Sequence, residues 1–194
     1  MPRLTAITPE AAAGKSKALL AGVQAQLGMT PNLMRTLAHS PAALEAYLKF
    51  SSTLAGGVLS KQHREQISLT VGESNQCGYC LAAHATLGKM VGLKPEQIKQ
   101  NRTGADADPA TDALLKFSRK ILEKQGHVSD QDLQDVRNAG HDDAAITEIA
   151  ANVALNIFTN YFNHMAQTEI DFPEVEPLNS ENAACCHTEG SICS

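Results

Sequence analysis

Two cysteines and a histidine at helical spacing are the residues of this sequence best suited to chemistry. Cys77 and Cys80 stand three residues apart in the segment Cys77-Gly78-Tyr79-Cys80, and His84 follows one helical turn later. At about 100° per residue, Cys80 and His84 lie within about 60° of Cys77 on one helix face. A helix N-terminus favours the thiolate, the nucleophilic form of cysteine, through its free N–H groups and positive dipole. The spacing therefore predicts an activated dithiol, with His84 placed to accept the Cys80 proton.

Glu65 is the candidate for a third group behind the histidine. It lies on the preceding predicted helix, and the short polar link 73–76 would fold that helix back against the one that begins at Cys77. From there a carboxylate can orient an imidazole or relay its proton to solvent, as in other activated nucleophiles. Two cysteines three residues apart can also close a disulfide after one of them has reacted. Together these residues predict thiol redox chemistry.

A zinc site is the main alternative for the cysteine pair. Structural zinc needs four ligands, and the sequence has no second pair at this spacing and no HxxxH. The remaining ligands would have to come from the C-terminal segment, which contains Cys185, Cys186, His187 and Cys193. The redox interpretation is therefore preferred, and no metal is expected.

Three further interpretations concern the neighbours of the dithiol. Tyr79 points away from the cysteine face of an ideal helix, so we expect it to pack in the core. His63 is most simply an exposed residue in a first helical turn. A thioredoxin-type origin is excluded, because that motif follows a buried strand, whereas the segment before Cys77 is predicted to be helical.

Composition limits the functional classes. The chain has 194 residues and a formal net charge of -5 without a Lys/Arg cluster, which argues against nucleic-acid binding. The N-terminus lacks the apolar core of a signal peptide, and no stretch is apolar for long enough to cross a bilayer. Five cysteines are too few and too clustered for a disulfide framework, and an odd number without an export signal indicates a reducing compartment. We therefore expect a cytoplasmic protein with no membrane partner.

Helix punctuation predicts an all-α fold. Apolar residues make up 43% of the chain and aromatic residues only 4%, because Ala and Leu dominate, and this favours helix over sheet. Ser60 and Ser129 begin two helices, and glycines stand where helices would end. Four more helices are expected to begin where a capping side chain precedes proline, at Thr8, Thr30, Ser40 and Asp108. These signals predict helices near residues 9–27, 31–38, 41–55, 61–73, 77–91, 95–101, 109–125, 130–138 and 143–169.

The domain organisation follows from these elements. Residues 50–62 and 117–131 look faintly alike, which leaves open two related helical halves or a chance resemblance between capped amphipathic helices. We predict one all-α domain over residues 1–175, with its CxxC core at about 41–101. Residues 176–194 lack periodicity and are predicted to form a flexible tail that contains three cysteines.

The last predicted helix has an unusual surface. From Ile149 to Thr168 the sequence contains no Asp, Glu, Lys or Arg. Two lines of residues follow helical spacing on different faces: the apolar Val153, Ile157, Tyr161 and Met165, and the polar Asn152, Asn156, Asn160 and Asn163. Asparagine is a poor helix former and needs tertiary support. The pattern predicts a helix covered by its own core and by another subunit; the alternative is that the asparagines face water.

The segment Glu65-(eleven residues)-Cys77-Gly78-Tyr79-Cys80-(three residues)-His84 resembles the AhpD-like alkylhydroperoxidase group of the carboxymuconolactone decarboxylase superfamily. That pattern is a Glu, eleven residues, CxxC, three residues and a His, and every position matches. Residues 30–33, 159–164 and 171–173 also look like a peroxidase-related branch. The resemblance covers roughly residues 28–175 and leaves the C-terminal cysteines outside.

The resemblance implies an AhpD-like helical bundle that self-associates and reduces hydroperoxides with thiols, without a cofactor. It implies that Cys80 is the peroxidatic cysteine, whose sulfenic acid Cys77 resolves as a disulfide, and that His84 and Glu65 carry the proton relay. Some members have a His between the cysteines, where this chain has Tyr79, so this chain has one proton carrier fewer. The decarboxylase branch lacks the dithiol, so we do not expect its lactone chemistry here.

Three hypotheses result. The first is a thiol-dependent peroxide reductase for antioxidant defence, working as a homo-oligomer and recycled by a dithiol donor of the lipoyl, thioredoxin-like or glutathione type. A general disulfide reductase is a close variant. The second is a non-catalytic redox sensor that uses the same disulfide switch, and the third is a zinc-binding module.

Overall fold

The regular structure of the described part of the chain is entirely helical. The computed structural model describes residues 1–178, and these contain α1 (Gly14–Leu27), α2 (Asn32–Leu37), α3 (Pro41–Leu54), α4 (Lys61–Ser74), α5 (Gly78–Met90), α6 (Pro95–Arg102), α7 (Pro109–Glu123), α8 (Asp130–Asn138) and α9 (Asp143–Ala166). No strand occurs in this range. The predicted all-α fold is therefore confirmed, and most helix ends lie within two residues of their predicted positions. Across the same residues, no helix is both long and apolar enough to span a membrane.

Two helix ends differ from the prediction. The first helix was expected from residue 9, but Thr8 closes only one turn, in which the N–H groups of Ala11 and Ala12 bond to its carbonyl oxygen. Gly14 then adopts a φ of 53°, which a helix cannot continue through, so α1 starts there. At the other end, Gln167 is left-handed with a φ of 50° and stops α9 three residues early.

Helix α4 lies at the centre of the bundle and packs against α5, α6, α7 and α9. Ile67 belongs to an apolar cluster with α7, α8 and α9, whereas Leu69 belongs to another with α5 and α6. Because α4 is covered on several sides, its polar residues are buried too, and Thr70 donates to the Asn101 carbonyl oxygen at 2.7 Å. A third cluster joins α1, α2, α3 and the start of α5. The helix that carries Glu65 is thus the most firmly embedded one.

Helix α9 buries its asparagine face. The four asparagines are at most 4% exposed: Asn152, Asn156, Asn160 and Asn163. The alternative in which they face water is therefore wrong. The predicted apolar line divides, since Val153 is buried but Tyr161 and Met165 are 58% and 51% exposed, and Phe158 beside them is 43% exposed. This outer face of α9 is the part of the helix that its own core leaves uncovered.

The segment after α9 runs back over the bundle. Residues 167–178 have no helix, but Phe172 and Val175 pack against the apolar clusters of α5 and its neighbours. The predicted tail at 176–194 lies outside the described residues from position 179 onward, and so do its three cysteines.

Candidate active site

The link between α4 and α5 fixes the position of Cys77. Helix α4 ends in a Schellman motif, in which the Cys77 N–H bonds to the Gly72 carbonyl oxygen at 2.9 Å and Gln76 is left-handed with a φ of 54°. Cys77 is at the same time the N-cap of α5. One residue therefore ends one helix and begins the next, so the two helices fold back tightly on each other.

The dithiol is closed and buried. Cys77 and Cys80 form a disulfide with a Cα–Cα distance of 5.3 Å, and the two residues are 2% and 3% exposed. The Cys77 sulfur accepts the backbone N–H of Cys80 at 3.3 Å, so it caps the helix as a serine oxygen would. Cys80 occupies the first turn of α5, where free N–H groups and the helix dipole favour a thiolate.

Cys80 lines a cavity of about 230 Å³. Most of the lining is apolar and comes from the end of α1 and the turn after it, from α2 and α5, and from the segment after α9. These residues include Leu27, Met29, Pro31, Leu33, Met34, Leu87, Met90, Phe172 and Pro173. Among the polar lining residues are Tyr79, His84, Asn163 and Asp171. Cys77 is not part of the lining. The two sulfurs are thus unequal, because Cys80 faces the cavity and Cys77 lies behind it.

Glu65 and His84 form a hydrogen-bonded pair. The Nδ1 atom of His84 lies 2.8 Å from Oε2 of Glu65, and the two side chains are 22% and 18% exposed. A carboxylate partner at Nδ1 favours the tautomer that carries a proton there, which leaves Nε2 as the nitrogen facing away from Glu65. His84 lines the cavity, whereas Glu65 does not and contacts the histidine at Nδ1. The structure therefore brings together all four residues that the sequence singled out.

A smaller chamber of about 70 Å³ lies behind the histidine. Its lining includes Glu65 and His84 together with Arg64, Ser68 and Asn156. Tyr47 lines both this chamber and the apolar cavity. Burial, with a further contribution from the Glu65 carboxylate, raises the pKa of Tyr47 to about 12, so its phenol stays neutral in the physiological range.

Asn163 is the contact that the sequence interpretation missed. Its Nδ2 donates to the Cys80 sulfur at 3.3 Å, whereas no direct hydrogen bond joins Cys80 to His84. The sequence placed Asn163 only in a line of asparagines that needed tertiary support. The line of asparagines itself was the signal that could have indicated this contact, because a buried asparagine in a helix must find hydrogen-bond partners on other elements.

Tyr79 packs in the core as predicted and also supports α2. It is 5% exposed, and its ring meets that of Phe172 edge-on with centroids 5.9 Å apart. Its hydroxyl oxygen accepts the N–H of Leu33 at 3.0 Å. Burial, opposed by this hydrogen bond, raises the pKa of the phenol. Tyr79 therefore faces the cavity as a neutral wall residue.

The segment after α9 closes one side of the cavity. The Asp171 carboxylate accepts the N–H of Asn32 at 2.7 Å, and Asn32 in turn donates from its side chain to the Glu169 carbonyl oxygen at 3.0 Å. Since the N-cap of α2 is Pro31, which has no side-chain acceptor, α2 takes its caps from Asp171 and Tyr79. The same two side chains, Asp171 and Tyr79, therefore cap α2 and line the cavity.

His63 and the zinc alternative lie away from this site. His63 is partly buried, with its ring centroid 6.4 Å from that of His141, and burial lowers its pKa. Within residues 1–178, no three His, Cys, Asp or Glu side chains are grouped as a metal site requires. The C-terminal cysteines that the zinc alternative needs fall outside that range.

Comparison with known proteins gives one family match in sequence and several similar folds. Residues 41–124 match the carboxymuconolactone decarboxylase family. No curated protein matches the chain at a significant level. The structure is similar to that of the alkylhydroperoxidase AhpD core of an uncharacterized peroxidase-related protein from Ralstonia eutropha JMP134, at 27% identity and a TM-score of 0.80. That similarity covers 88% of this chain and 92% of the other.

Two further structures show the same fold at lower identity. An uncharacterized peroxidase-related protein from Silicibacter sp. TM1040 is 24% identical, with a TM-score of 0.76, over 86% of this chain and 91% of that one. The debrominase Bmp8, in complex with 2,3,4-tribromopyrrole, is 17% identical, with a TM-score of 0.73, over 87% and 91%. One fold thus carries more than one chemistry. The family match over residues 41–124 and the shared helical fold support assignment of the chain to the AhpD-like group of the carboxymuconolactone decarboxylase superfamily.

Proposed function

We propose that this chain is a thiol-dependent alkyl hydroperoxide reductase with Cys80 as the attacking cysteine and Cys77 as the resolving one. The observation that carries the proposal is the shared cavity: Cys80 and His84 line it, and Glu65 holds His84 from behind. The mostly apolar lining favours an organic hydroperoxide over hydrogen peroxide. The similarity to the peroxidase-related protein from Ralstonia eutropha supports the same class.

In the proposed reaction, His84 takes the proton of the Cys80 thiol. The thiolate attacks the hydroxyl-bearing oxygen of the hydroperoxide, so that an S–O bond forms as the O–O bond breaks. The leaving alkoxide takes the proton from His84 and departs as an alcohol. Glu65 stabilises the imidazolium between these two transfers, and the small chamber gives it a polar surrounding.

Cys77 then completes the cycle. The Cys77 thiol loses its proton and attacks the sulfur of the Cys80 sulfenic acid, so that an S–S bond forms as the S–O bond breaks. The leaving hydroxide takes up the proton released by Cys77 and departs as water. A dithiol donor reduces the disulfide by exchange and becomes a disulfide itself. In sum, one hydroperoxide and one dithiol give one alcohol, one water and one disulfide. The donor class, lipoyl, thioredoxin-like or glutathione, and the cytoplasmic location stay predictions.

Self-association is a part of the proposal that the outer face of α9 supports. Phe158, Tyr161 and Met165 are exposed together on this helix, and a second copy of the chain is the partner we propose for them. Light scattering after gel filtration tests this directly. A wild-type protein that is monomeric at micromolar concentration would rule out the homo-oligomer.

The deciding experiment compares hydroperoxides on the full-length protein. We expect cumene and tert-butyl hydroperoxide to be consumed faster than hydrogen peroxide, with dihydrolipoamide as the donor. Cys80→Ser should abolish turnover. Cys77→Ser should stop after one turnover and leave a sulfenic acid on Cys80 that dimedone traps. Consumption by Cys80→Ser at the wild-type rate would refute the assignment.

The same assay separates the other hypotheses. A disulfide that forms once without sustained turnover would favour the redox sensor. Faster reduction of small disulfides than of hydroperoxides would favour the disulfide reductase. About one zinc per chain after purification without chelator, released by thiol-blocking reagents, would favour the zinc module.

A further inference from the structure

Asn163 contacts the sulfur that the proposed function places at the centre of the reaction. The side chain is 4% exposed and lines the cavity, and its Nδ2 donates to the Cys80 sulfur at 3.3 Å. Its Oδ1 atom is buried and has no hydrogen-bond partner within residues 1–178. The Asn163 amide therefore donates a hydrogen bond from Nδ2 to the Cys80 sulfur, while its carbonyl oxygen Oδ1, on the same planar group, accepts none from the described residues.

The unused acceptor indicates what kind of ligand belongs there. A buried amide oxygen without a partner costs free energy, so native structures almost always pair it. Among the lining residues Asp171 has a second such atom, Oδ1, which is also an acceptor. A ligand that satisfies Asn163 must therefore bring a donor. A hydroperoxide has one O–H group, and it is on the oxygen that a thiolate attacks.

We propose that Asn163 is a catalytic residue of this site, whose amide N–H holds the Cys80 thiolate while its carbonyl oxygen accepts the hydroxyl hydrogen of the hydroperoxide. The inference rests on the proposed function and adds a residue to it. The two contacts place the attacked oxygen next to the sulfur, which is the positioning that a displacement needs.

The step balances with this arrangement. The thiolate electron pair forms the S–O bond, and the O–O bond breaks toward the alkoxide, which takes its proton from His84. The hydroxyl hydrogen stays on the transferred oxygen and becomes that of the sulfenic acid, so its hydrogen bond to Asn163 persists through the step. A thiolate is also a stronger acceptor than a disulfide sulfur, so the Asn163 N–H contact strengthens when the site is reduced.

The first test measures the thiolate without any hydroperoxide. In a Cys77→Ser background, iodoacetamide alkylation of Cys80 is followed against pH, with mass spectrometry to distinguish it from the C-terminal cysteines. Asn163→Leu should raise the pKa of Cys80 and slow alkylation at pH 7 about tenfold, because one pKa unit is a factor of ten in thiolate. The other titratable groups that face Cys80, its cavity and the chamber behind the histidine are unchanged: Tyr47, Arg64, Glu65, Tyr79, His84 and Asp171.

Asn160→Leu is the matched control. Asn160 is also buried on α9, but it bonds to Asn75 and not to a cysteine. The Asn160→Leu variant should lose about as much thermal stability as Asn163→Leu and leave the alkylation profile of Cys80 unchanged. Asn163→Asp keeps the side-chain shape, removes the donor and adds a charge, so it should raise the pKa of Cys80 further. It serves as the second variant if Asn163→Leu does not fold.

The second test compares two rates in the same variants. Oxidation of reduced protein by cumene hydroperoxide in a single turnover should fall more than alkylation does in Asn163→Leu, because the hydroperoxide also loses its acceptor. Equal losses in both rates would overturn the role of the carbonyl oxygen. An alkylation profile identical to wild type in both Asn163 variants would overturn the role of the N–H.

These outcomes are distinct from failure of the proposed function. If the wild-type protein does not turn over hydroperoxides but Asn163→Leu still shifts the alkylation profile, the peroxidase proposal and the carbonyl contact fail together. The N–H contact to the thiolate would then stand on its own as a property of the dithiol.

Discussion

Two helical hairpins of this molecule are built alike, but only one of them holds the dithiol. In both, the first helix ends in a Schellman motif whose left-handed residue is a glutamine, Gln76 after α4 and Gln125 after α7. In both, the second helix begins with a side chain that accepts the N–H of the third helical residue. The backbone of the two helix starts therefore offers the same free N–H groups.

The residues at that start differ. Cys77 and Cys80 occupy the N-cap and third positions of α5, whereas Ser129 and Asp132 occupy those of α8. The Ser129 hydroxyl accepts the Asp132 N–H at 3.2 Å, and Asp132 in return accepts the Ser129 N–H at 2.9 Å. A helix start that favours negative charge thus holds a carboxylate in one hairpin and favours a thiolate in the other.

The surroundings decide what each charge does. Asp132 lies between the ammonium groups of two lysines, Lys120 at 2.5 Å and Lys124 at 2.7 Å, so its charge is neutralised within the hairpin. Cys80 faces a cavity instead, where the neutral Asn163 amide contacts its sulfur and His84 lies in the same lining. The helix start supplies a similar field in both hairpins, and on the proposed function the open cavity and the absence of a fixed counter-ion among the described residues leave the Cys80 thiolate able to react.

The largest expected effect is a loss of turnover that occurs in a variant of the α4–α5 hairpin and not in the equivalent variant of the α7–α8 hairpin. Cys80→Ser should reduce hydroperoxide turnover to background, whereas Asp132→Asn should leave turnover near wild type and lower the thermal midpoint by a few degrees. Steady-state kinetics and calorimetry on the reduced proteins measure both. A loss of turnover in Asp132→Asn at a temperature where it is fully folded would contradict the division of roles.

A smaller effect is expected from Glu65→Gln. The amide keeps the shape and a hydrogen bond to His84 but no longer stabilises the imidazolium, so kcat/KM should fall roughly tenfold to hundredfold. Glu73→Gln on the same helix is the control. Glu73 pairs with the buried Arg102 at 2.6 Å, so its loss should lower stability and spare turnover. The reverse pattern in the two variants would move the proton relay away from Glu65.

Local signals made the helices predictable. Ser40, Ser60, Asp108 and Ser129 cap helices where they were expected, because each cap involves residues only three apart. The same signals failed at Thr8-Pro9, where a capping residue before proline closed a turn and Gly14 delayed the helix. A capping residue before proline shows where a helix can begin, but the conformation of the residues that follow decides whether the helix continues beyond one turn.

Long-range contacts within the site were not predictable. Nothing in the spacing shows that Cys80 rather than Cys77 faces the cavity, since both lie on one helix face. The Asn163 contact to Cys80 spans 83 residues, and the Asp171 cap of α2 spans 139. Such pairs depend on how α9 and the segment after it lie against α5, which no local pattern encodes. His84 and Glu65 could be picked out from helical spacing and the predicted α4–α5 hairpin because they lie only 19 residues apart, and the family resemblance then added their proposed roles.

The acid stability of the α7–α8 hairpin gives a pH-dependent prediction. The side chains of Lys120 and Lys124, together with the Ser129 N–H, hold the pKa of Asp132 well below its usual range. Because the folded pKa is depressed, the stabilisation is present above the unfolded value of about 4 and is lost as the pH falls toward the folded one. The thermal midpoint of wild type should therefore exceed that of Asp132→Asn by a constant amount between pH 5 and 8, and the difference should shrink below pH 4.

Asp130→Asn is the control for that series. Asp130 lies in the same first turn but is exposed and has no ion pair among the described residues. Its substitution should leave the midpoint nearly unchanged across the series. A wild-type advantage over Asp132→Asn that grows as the pH falls would mean that the lysines do not stabilise the Asp132 carboxylate.

The smallest expected effect comes from the second residue of the second helix in each hairpin, which is Tyr79 in α5 and Gln131 in α8. Gln131 is exposed and bonds only to Asp135, whereas the Tyr79 hydroxyl accepts the Leu33 N–H that α2 cannot cap itself. Tyr79→Phe should therefore lower the free energy of unfolding by about 1 kcal/mol and leave turnover close to wild type. Urea titration and steady-state kinetics measure the two effects, with Gln131→Ala as the neutral control. If turnover falls while stability holds, the phenol between the cysteines is itself a proton carrier, in the place where some relatives have a histidine.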